Sequence, residues 1–416
     1  MSLQDFPLDV EHLRKRFPTL AARRGDVFAD SPGGTQVPAE VIEAMASYLE
    51  RNNANAGGAF ATSAATDTVI SEARRAGADF LGCSPDEVVF GPNMTTLCLS
   101  LSRSIARTLG PGDEIVVTRL DHDANIAPWL AAAEDSGAAI RWVDIDSSDC
   151  SLDLRSLQKA LNPSARVVAF TLASNATGTI TNAKRVVEMA RTTSALVVAD
   201  AVHFAPHRLI DVTSLDVDVL LCSPYKFFGP HLGVMFGRHS LLEELEPYKV
   251  RPASDEVPHR FETGTLSHEA LAGFTAAVDY LSGLTGSAPD RRAGLADGMA
   301  AVLVYERELA GLFLDLIEPI PGLKLYGIAE RHRLDERTPT FAVTLEGVTP
   351  RAAAEELGRR GIYAWDGNYY ALAVMERLGL QRAGGALRIG FCHLNTPEEV
   401  ERVGAELARL ASGPPS

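Results

Sequence analysis

The chain is poor in cysteine, in basic relative to acidic residues, and in long apolar runs. Its five cysteines, Cys83, Cys98, Cys150, Cys222 and Cys392, are scattered, odd in number and nowhere form a CxxC pair. That argues against a disulfide or zinc framework, and no metal is expected. No stretch approaches the roughly 18 apolar residues of a spanning helix. The start, MSLQDFPLDVEHLRKRFPTL, lacks the apolar core and cleavage site of a secretory signal. With 39 basic against 54 acidic residues the formal charge is −15, so a phosphate backbone or an anionic lipid surface is repelled on average. Neither nucleic acid nor a membrane is expected as partner, and the location expected is cytoplasmic. No GxGxxG follows the first predicted strand, so the glycine fingerprint of a dinucleotide site is missing.

What is present reads as globular. Of 416 residues, 46% are hydrophobic and 22% charged, and the length suits two domains of roughly 100 to 200 residues each. From about residue 85 to 240, short β-branched runs alternate with amphipathic segments, the pattern of βαβ units. The predicted strands are Glu87–Phe90, Glu114–Val117, Ile140–Val143, Arg166–Leu172, Ala195–Ala199, Val217–Cys222 and Gly233–Phe236. Their near-continuous apolar character suits strands buried on both faces. Helices are predicted at Met94–Arg107, Ala124–Asp135, Leu154–Leu161 and Ala183–Thr192, and earlier at Pro38–Arg51 and Thr66–Leu81. The intervening NNANAGGAFAT reads as a surface loop. After about residue 285 come a helix at Arg291–Ile317, strands at Thr338–Leu345, Tyr363–Trp365 and Ala386–Phe391, and a closing helix at Thr396–Leu410. The expected division is an N-terminal segment, 1–25, packing with the small domain; a large domain, 26–284; and a small α+β domain, 285–416. Low complexity is confined to the GPPS tail.

The most informative stretch is VVADAVHFAPH, followed by LLCSPYKFFGPHLGV. One strand runs into Asp200 and another into Ser223, with Lys226 just beyond, 26 residues after the aspartate. Open α/β sheets bind ligands at the carboxyl ends of their strands, so both side chains reach one crevice. A lysine beside Phe227 and Phe228 is set for desolvation, a lowered pKa and Schiff-base chemistry. Singly, a surface lysine and a helix-capping aspartate account for each; the spaced pair points to a site.

The set Asp200-x-x-His203 and Ser223-x-x-Lys226-x-x-Gly229-Pro230 resembles the pyridoxal-phosphate enzymes of the class V aminotransferase group, fold type I, which includes cysteine desulfurases, isopenicillin N epimerase and kynureninase. The resemblance extends to Phe90–Thr96, Asp121–Trp129, Ser174–Thr179, Phe261–Thr265 and Arg388–Thr396, in the family's order. It implies an α/β fold with a mostly parallel seven-stranded sheet in the large domain, pyridoxal 5'-phosphate as cofactor, an amino-acid substrate, and a homodimer with shared active sites.

Residue by residue, the resemblance gives Lys226 the Schiff base to the cofactor and the proton transfer at the substrate α-carbon. Asp200 pairs with the pyridinium nitrogen, and His122 stacks on the pyridine face. Asn175 and His203 lie near the phenolic oxygen, and Asn175 also borders the substrate. Met94, Thr95 and Ser223 hold the phosphate, with Thr265 reaching it from the other subunit. Arg388 grips the substrate α-carboxylate, and Gly33 and Gly34 leave room for the substrate's approach.

The sequence also departs from the family. Where desulfurases carry a persulfide-forming cysteine it reads Asn368-Tyr369-Tyr370; where they often carry a second arginine it has Trp365; and Tyr225, as in kynureninase, replaces their histidine. The family's Gly-Thr-Thr is Asn93-Met94-Thr95, so backbone contacts to the phosphate are expected. Cys392 is expected as a core residue in a strand, and His231 matches nothing assignable. The expectation is a pyridoxal-phosphate-dependent aminotransferase without the persulfide cysteine. The alternatives are a β-lyase, a β-hydrolase, an epimerase, or a catalytically silent cofactor-binding regulator.

Overall fold

The computed structural model describes residues 8–412; the first seven residues of the N-terminal segment and the GPPS tail lie outside them. A short strand, β1 (Val27–Phe28), precedes the strands of the main sheet: β2 (Val88–Gly91), β3 (Glu114–Thr118), β4 (Ala139–Val143), β5 (Ala165–Thr171), β6 (Leu196–Asp200), β7 (Val219–Cys222) and β8 (Gly233–Gly237). The sheet is seven-stranded in the order β2-β8-β7-β6-β5-β3-β4. The β7–β6, β6–β5, β5–β3 and β3–β4 pairs are parallel, and only β8 runs against its two neighbours. This is the α/β, mostly parallel sheet that the sequence implies.

Period-two side-chain alternation explains why these strands read as continuous apolar runs. Val88, Val116, Val168, Val197 and Leu220 belong to one apolar core. Val89, Ile115, Val167, Val198 and Val219, their chain neighbours, belong to a second. The exception is β4, expected to be buried: at this edge of the sheet Ala139 and Arg141 are exposed.

The remaining strands are β9 (Leu323–Tyr326), β10 (Thr340–Leu345), β11 (Ile362–Tyr363), β12 (Trp365–Gly367) and β13 (Ala386–Gly390). Four of them form an antiparallel sheet in the order β12-β13-β10-β9. The strand expected at Tyr363–Trp365 is two: β11 pairs in parallel with β1 at the other end of the chain, while β12 joins the smaller sheet. The helix expected from Thr66 begins at Ala61, which shortens the preceding loop. Cys392 lies beyond the end of β13 rather than in a strand, and it is buried.

Helix ends follow local chemistry. Asn93 caps the Met94–Ala106 helix by accepting from Thr96 N at 2.8 Å, and Asp290 caps the Arg291–Ile317 helix through Ala293 N at 2.8 Å. The N-terminal segment touches both layers. Arg14 pairs with Glu399 at 2.7 Å, while Phe17 packs edge-on against Phe228 and Tyr280. Among the described residues, no helix is long and apolar enough to cross a membrane.

Candidate active site

The sheet topology decides where the chemistry gathers. Strands β3, β5, β6 and β7 are parallel, and β2, separated from β7 by the reversed β8, points the same way. Five carboxyl ends therefore meet at one edge. Each is followed by predicted site residues: Met94 and Thr95 after β2, His122 after β3, Asn175 after β5, His203 after β6, and Ser223 and Lys226 after β7. Asp200 is itself the last residue of β6. All eight line one cavity of about 540 Å³, together with Pro32, Asn93, Tyr225 and others.

Lys226 is one of its lining residues. Its amine donates to the Pro32 carbonyl and lies 4.8 Å from the centroid of the Tyr225 ring. Burial first, then the nearby Arg388 cation, push the amine down to about 7, with Asp200 and Asp30 pulling the other way. Asp200 is buried, accepts from Val202 N at 2.8 Å, and makes no ion pair among the described residues. Burial raises its carboxyl to about 6. A buried carboxylate whose only hydrogen bond is to one amide is a site prepared for a cation.

Around this pair the walls are specific. His122 accepts from Ala124 N at Nδ1 (3.0 Å), which leaves the hydrogen of the neutral ring on Nε2. Tyr370 stacks on one face at 5.6 Å between centroids, and burial holds the imidazole down at about 4. The Met94 amide, at a helix start, donates to Ser223 Oγ at 3.1 Å, so backbone donors and a hydroxyl converge where an anion is favoured. His203 is buried and meets Thr338.

Arg388, on β13, reaches the site from the smaller sheet. Its Nη1 donates to the Asn175 carbonyl at 3.0 Å, and its guanidinium lies 4.5 Å from the centroid of the Tyr369 ring. Its Nε and the Asn175 Oδ1 are buried without partners. The Asn175 amide nitrogen is given to the Tyr369 carbonyl at 2.9 Å, which ties this wall of the cavity to the loop at residues 368–370. Gly33 stands between Trp365 and Arg388, and Gly34 lies against the Tyr225 ring. Thr265 is not brought to the Lys226 cavity; it lines a separate hollow with Phe90, Thr96 and His231.

Sequence reasoning missed Asp30, whose carboxyl is raised to about 6 by burial and lowered in part by Arg388 and Lys226. It also gave no role to Pro32 or Tyr370. The run ADSPGG carries the only local hint, a turn-rich segment with one acidic residue. The assembled groups fit a flat heteroaromatic phosphate bearing an aldehyde: an amine to bind the aldehyde, a carboxylate to face a ring cation, imidazole for the ring face, and a helix start for the phosphate.

Comparison with known proteins identifies the family. Residues 27–403 match the family model described as aminotransferase class-V. A cysteine desulfurase of Synechococcus elongatus is 32% identical over 97% of this chain, which spans 64% of that relative's length. An aminotransferase-like protein of Gibberella zeae is 30% identical, with 95% of this chain and 96% of that protein covered. The solved apo structure of a cysteine desulfurase from Thermococcus onnurineus superimposes with a TM-score of 0.87 at 25% identity, covering 99% of this chain and all of that one.

Proposed function

Because the chain belongs to the aminotransferase class-V family, whose enzymes work with pyridoxal 5'-phosphate, we propose that it is an aminotransferase acting on an amino acid through Lys226. The observation that carries this reading is the composition of the cavity. A depressed lysine amine and a buried carboxylate line it, an arginine from the smaller sheet reaches its wall at the Asn175 carbonyl, and no cysteine is among its lining residues. The segment at 368–370, where a sulfur-transferring relative would need its thiol, supplies tyrosines instead.

Pyridoxal phosphate, when bound, supplies an aldehyde for amines and a ring that accepts the electron pair left at the substrate α-carbon. The rest is done by this chain. Lys226 would hold the cofactor, give way to the substrate amine, and as a neutral amine take the α-proton and deliver it to the carbon that had carried the aldehyde. Asp200 keeps the ring nitrogen protonated by offering it a buried negative charge. Met94, Thr95 and Ser223 anchor the phosphate, His122 lies on the ring face, and His203 and Asn175 border the phenolic oxygen. Arg388 binds the α-carboxylate, its unpartnered Nε adding a donor. Gly33 and Gly34 keep the approach open.

On this reading residues 26–284 form the cofactor-binding domain and 285–416 the smaller one. The protein works as a homodimer in the cytoplasm, with Thr265 serving the other subunit's phosphate. The test is the visible spectrum of the purified protein with pyridoxal phosphate, titrated with alanine, cysteine, aspartate, glutamate and kynurenine. Conversion to the pyridoxamine form by one of these, reversed by a keto acid, is the expected result. A visible band that amino acids perturb without that conversion moves the reading to lyase or epimerase chemistry. No band at all overturns it.

A further inference from the structure

We propose that Thr338 is a positioning residue: it fixes His203 as the tautomer with hydrogen on Nδ1, the form that donates to the cofactor's phenolic oxygen. His203 follows β6, Thr338 precedes β10, and their contact crosses 135 residues of sequence. Both side chains are buried, and His203 Nε2 lies 3.1 Å from Thr338 Oγ1. The imidazole is kept neutral by burial, and by the neighbouring His207, Arg388 and Lys226, which oppose a further positive charge. A neutral ring has one donor and one acceptor nitrogen, so whatever partners Nε2 decides what Nδ1 can do.

The hydroxyl has a single proton and two acceptors within reach, His203 Nε2 at 3.1 Å and the Gly178 carbonyl at 3.3 Å. That carbonyl already takes the Thr338 amide at 2.8 Å. The nearer acceptor, otherwise unserved, is Nε2. The ring hydrogen then sits on Nδ1, which has no partner among the described residues, in a side chain that lines the Lys226 cavity.

Two further features hold this arrangement. Gly178 has φ +76°, and a β-carbon there would clash first with the Thr340 carbonyl and would also stand 3.0 Å from Thr338 Oγ1, so the glycine permits the close approach of this strand. On the other side His207 packs edge-on against His203 at 5.2 Å between centroids, and it is itself pinned by Glu306 at 2.7 Å. The ring of His203 is thus fixed from both sides.

This inference rests on the cofactor reading above, which gives Nδ1–H an oxygen to serve. The test loads the full chain, Thr338→Val and Thr338→Ser with pyridoxal phosphate, and measures the pH midpoint of the visible band and the cofactor dissociation constant. Loss of one donor to an anionic oxygen makes that oxygen more basic. Thr338→Val should therefore raise the midpoint by about one pH unit and weaken binding about tenfold, with Thr338→Ser unchanged. A parental midpoint in Thr338→Val overturns the proposal, as does a shift shared by Thr338→Ser.

A second measurement covers a Thr338→Val chain that does not fold. In cofactor-free protein carrying isotope-labelled histidine, the nitrogen signals of His203, assigned by their loss in His203→Gln, should show hydrogen on Nδ1. Hydrogen on Nε2 overturns the proposal. If the parent protein gives no visible band, the cofactor reading fails by itself, and these signals still decide the tautomer.

Discussion

Gly33 and Trp365 compete for one space: a β-carbon on Gly33 would stand 2.7 Å from Trp365 Nε1 and 3.5 Å from a guanidinium nitrogen of Arg388. Trp365 is 54% exposed, so its ring can swing aside without disturbing the core. Gly33→Ala should therefore cost under about 1 kcal/mol of stability yet push the indole across the approach to Arg388. The expected result is an amino-acid KM raised about tenfold with cofactor affinity unchanged. Adding Trp365→Ala should bring KM back, and steady-state kinetics of the three proteins checks it.

Lys226 sets a pH dependence that an ordinary lysine would not. With its amine at about 7, the neutral nucleophilic form falls tenfold per unit below that pH and is nearly complete above it. The rate at which cofactor-free protein captures pyridoxal phosphate should rise up to about pH 7 and then level off, instead of climbing towards pH 10. Stopped-flow absorbance reads this directly. Lys226→Ala should leave no borohydride-reducible attachment.

Asp200 trades stability for function. Its carboxyl is raised from 3.8 to about 6 by burial, so between those values the folded protein keeps a proton that the unfolded chain has lost. The stability this gives is complete below about pH 4 and disappears as pH rises through 6. Asp200→Asn carries no such loss. The cofactor-free variant should gain on the parent between pH 4 and 6, reaching a plateau of about 3 kcal/mol, while turnover with cofactor falls by about 100-fold or more. Denaturant unfolding at several pH values, beside steady-state rates, tests both halves.

The thiols should be silent. Cys98, Cys150, Cys222 and Cys392 are buried and Cys83 is half-buried, and burial raises every one of them above the ordinary thiol range. Incubation with cysteine should leave no protein-bound persulfide by intact-mass measurement, and Cys392→Ala should keep full turnover.

The main sheet was legible because its inner strands are apolar on both faces and end in chemistry: Asp200 closes one strand and Lys226 follows its parallel neighbour, so the ends of adjacent strands bring them together. Legibility failed where partners are remote. Nothing near Val27 announces pairing with Ile362, and Tyr363 and Trp365 differ in allegiance although only Ala364 separates them. The edge position of β4 depends on the order of the whole sheet. Asn175 could be placed at the site, but not its commitment to the Tyr369 carbonyl, and Thr338 has no local pattern pointing to His203. These are orientations set by contacts far along the chain.

The segment from Val27 to Thr35 is stitched at both ends to different bodies. Asp30 bridges Gly390, and Ser31 Oγ donates to the Phe391 carbonyl at 3.0 Å, on the side of Arg388. Thr35 N donates to the Tyr225 carbonyl at 3.0 Å, and Thr35 Oγ1 takes the Phe228 amide at 2.7 Å, on the side of Lys226. Only Pro32, Gly33 and Gly34 lie between. On the proposed function, the unit that would read the substrate is therefore discontinuous along the polypeptide. A chimaera transplanting the C-terminal third alone would set a foreign arginine against a native strap, and exchange of specificity between relatives requires the two pieces to be swapped together.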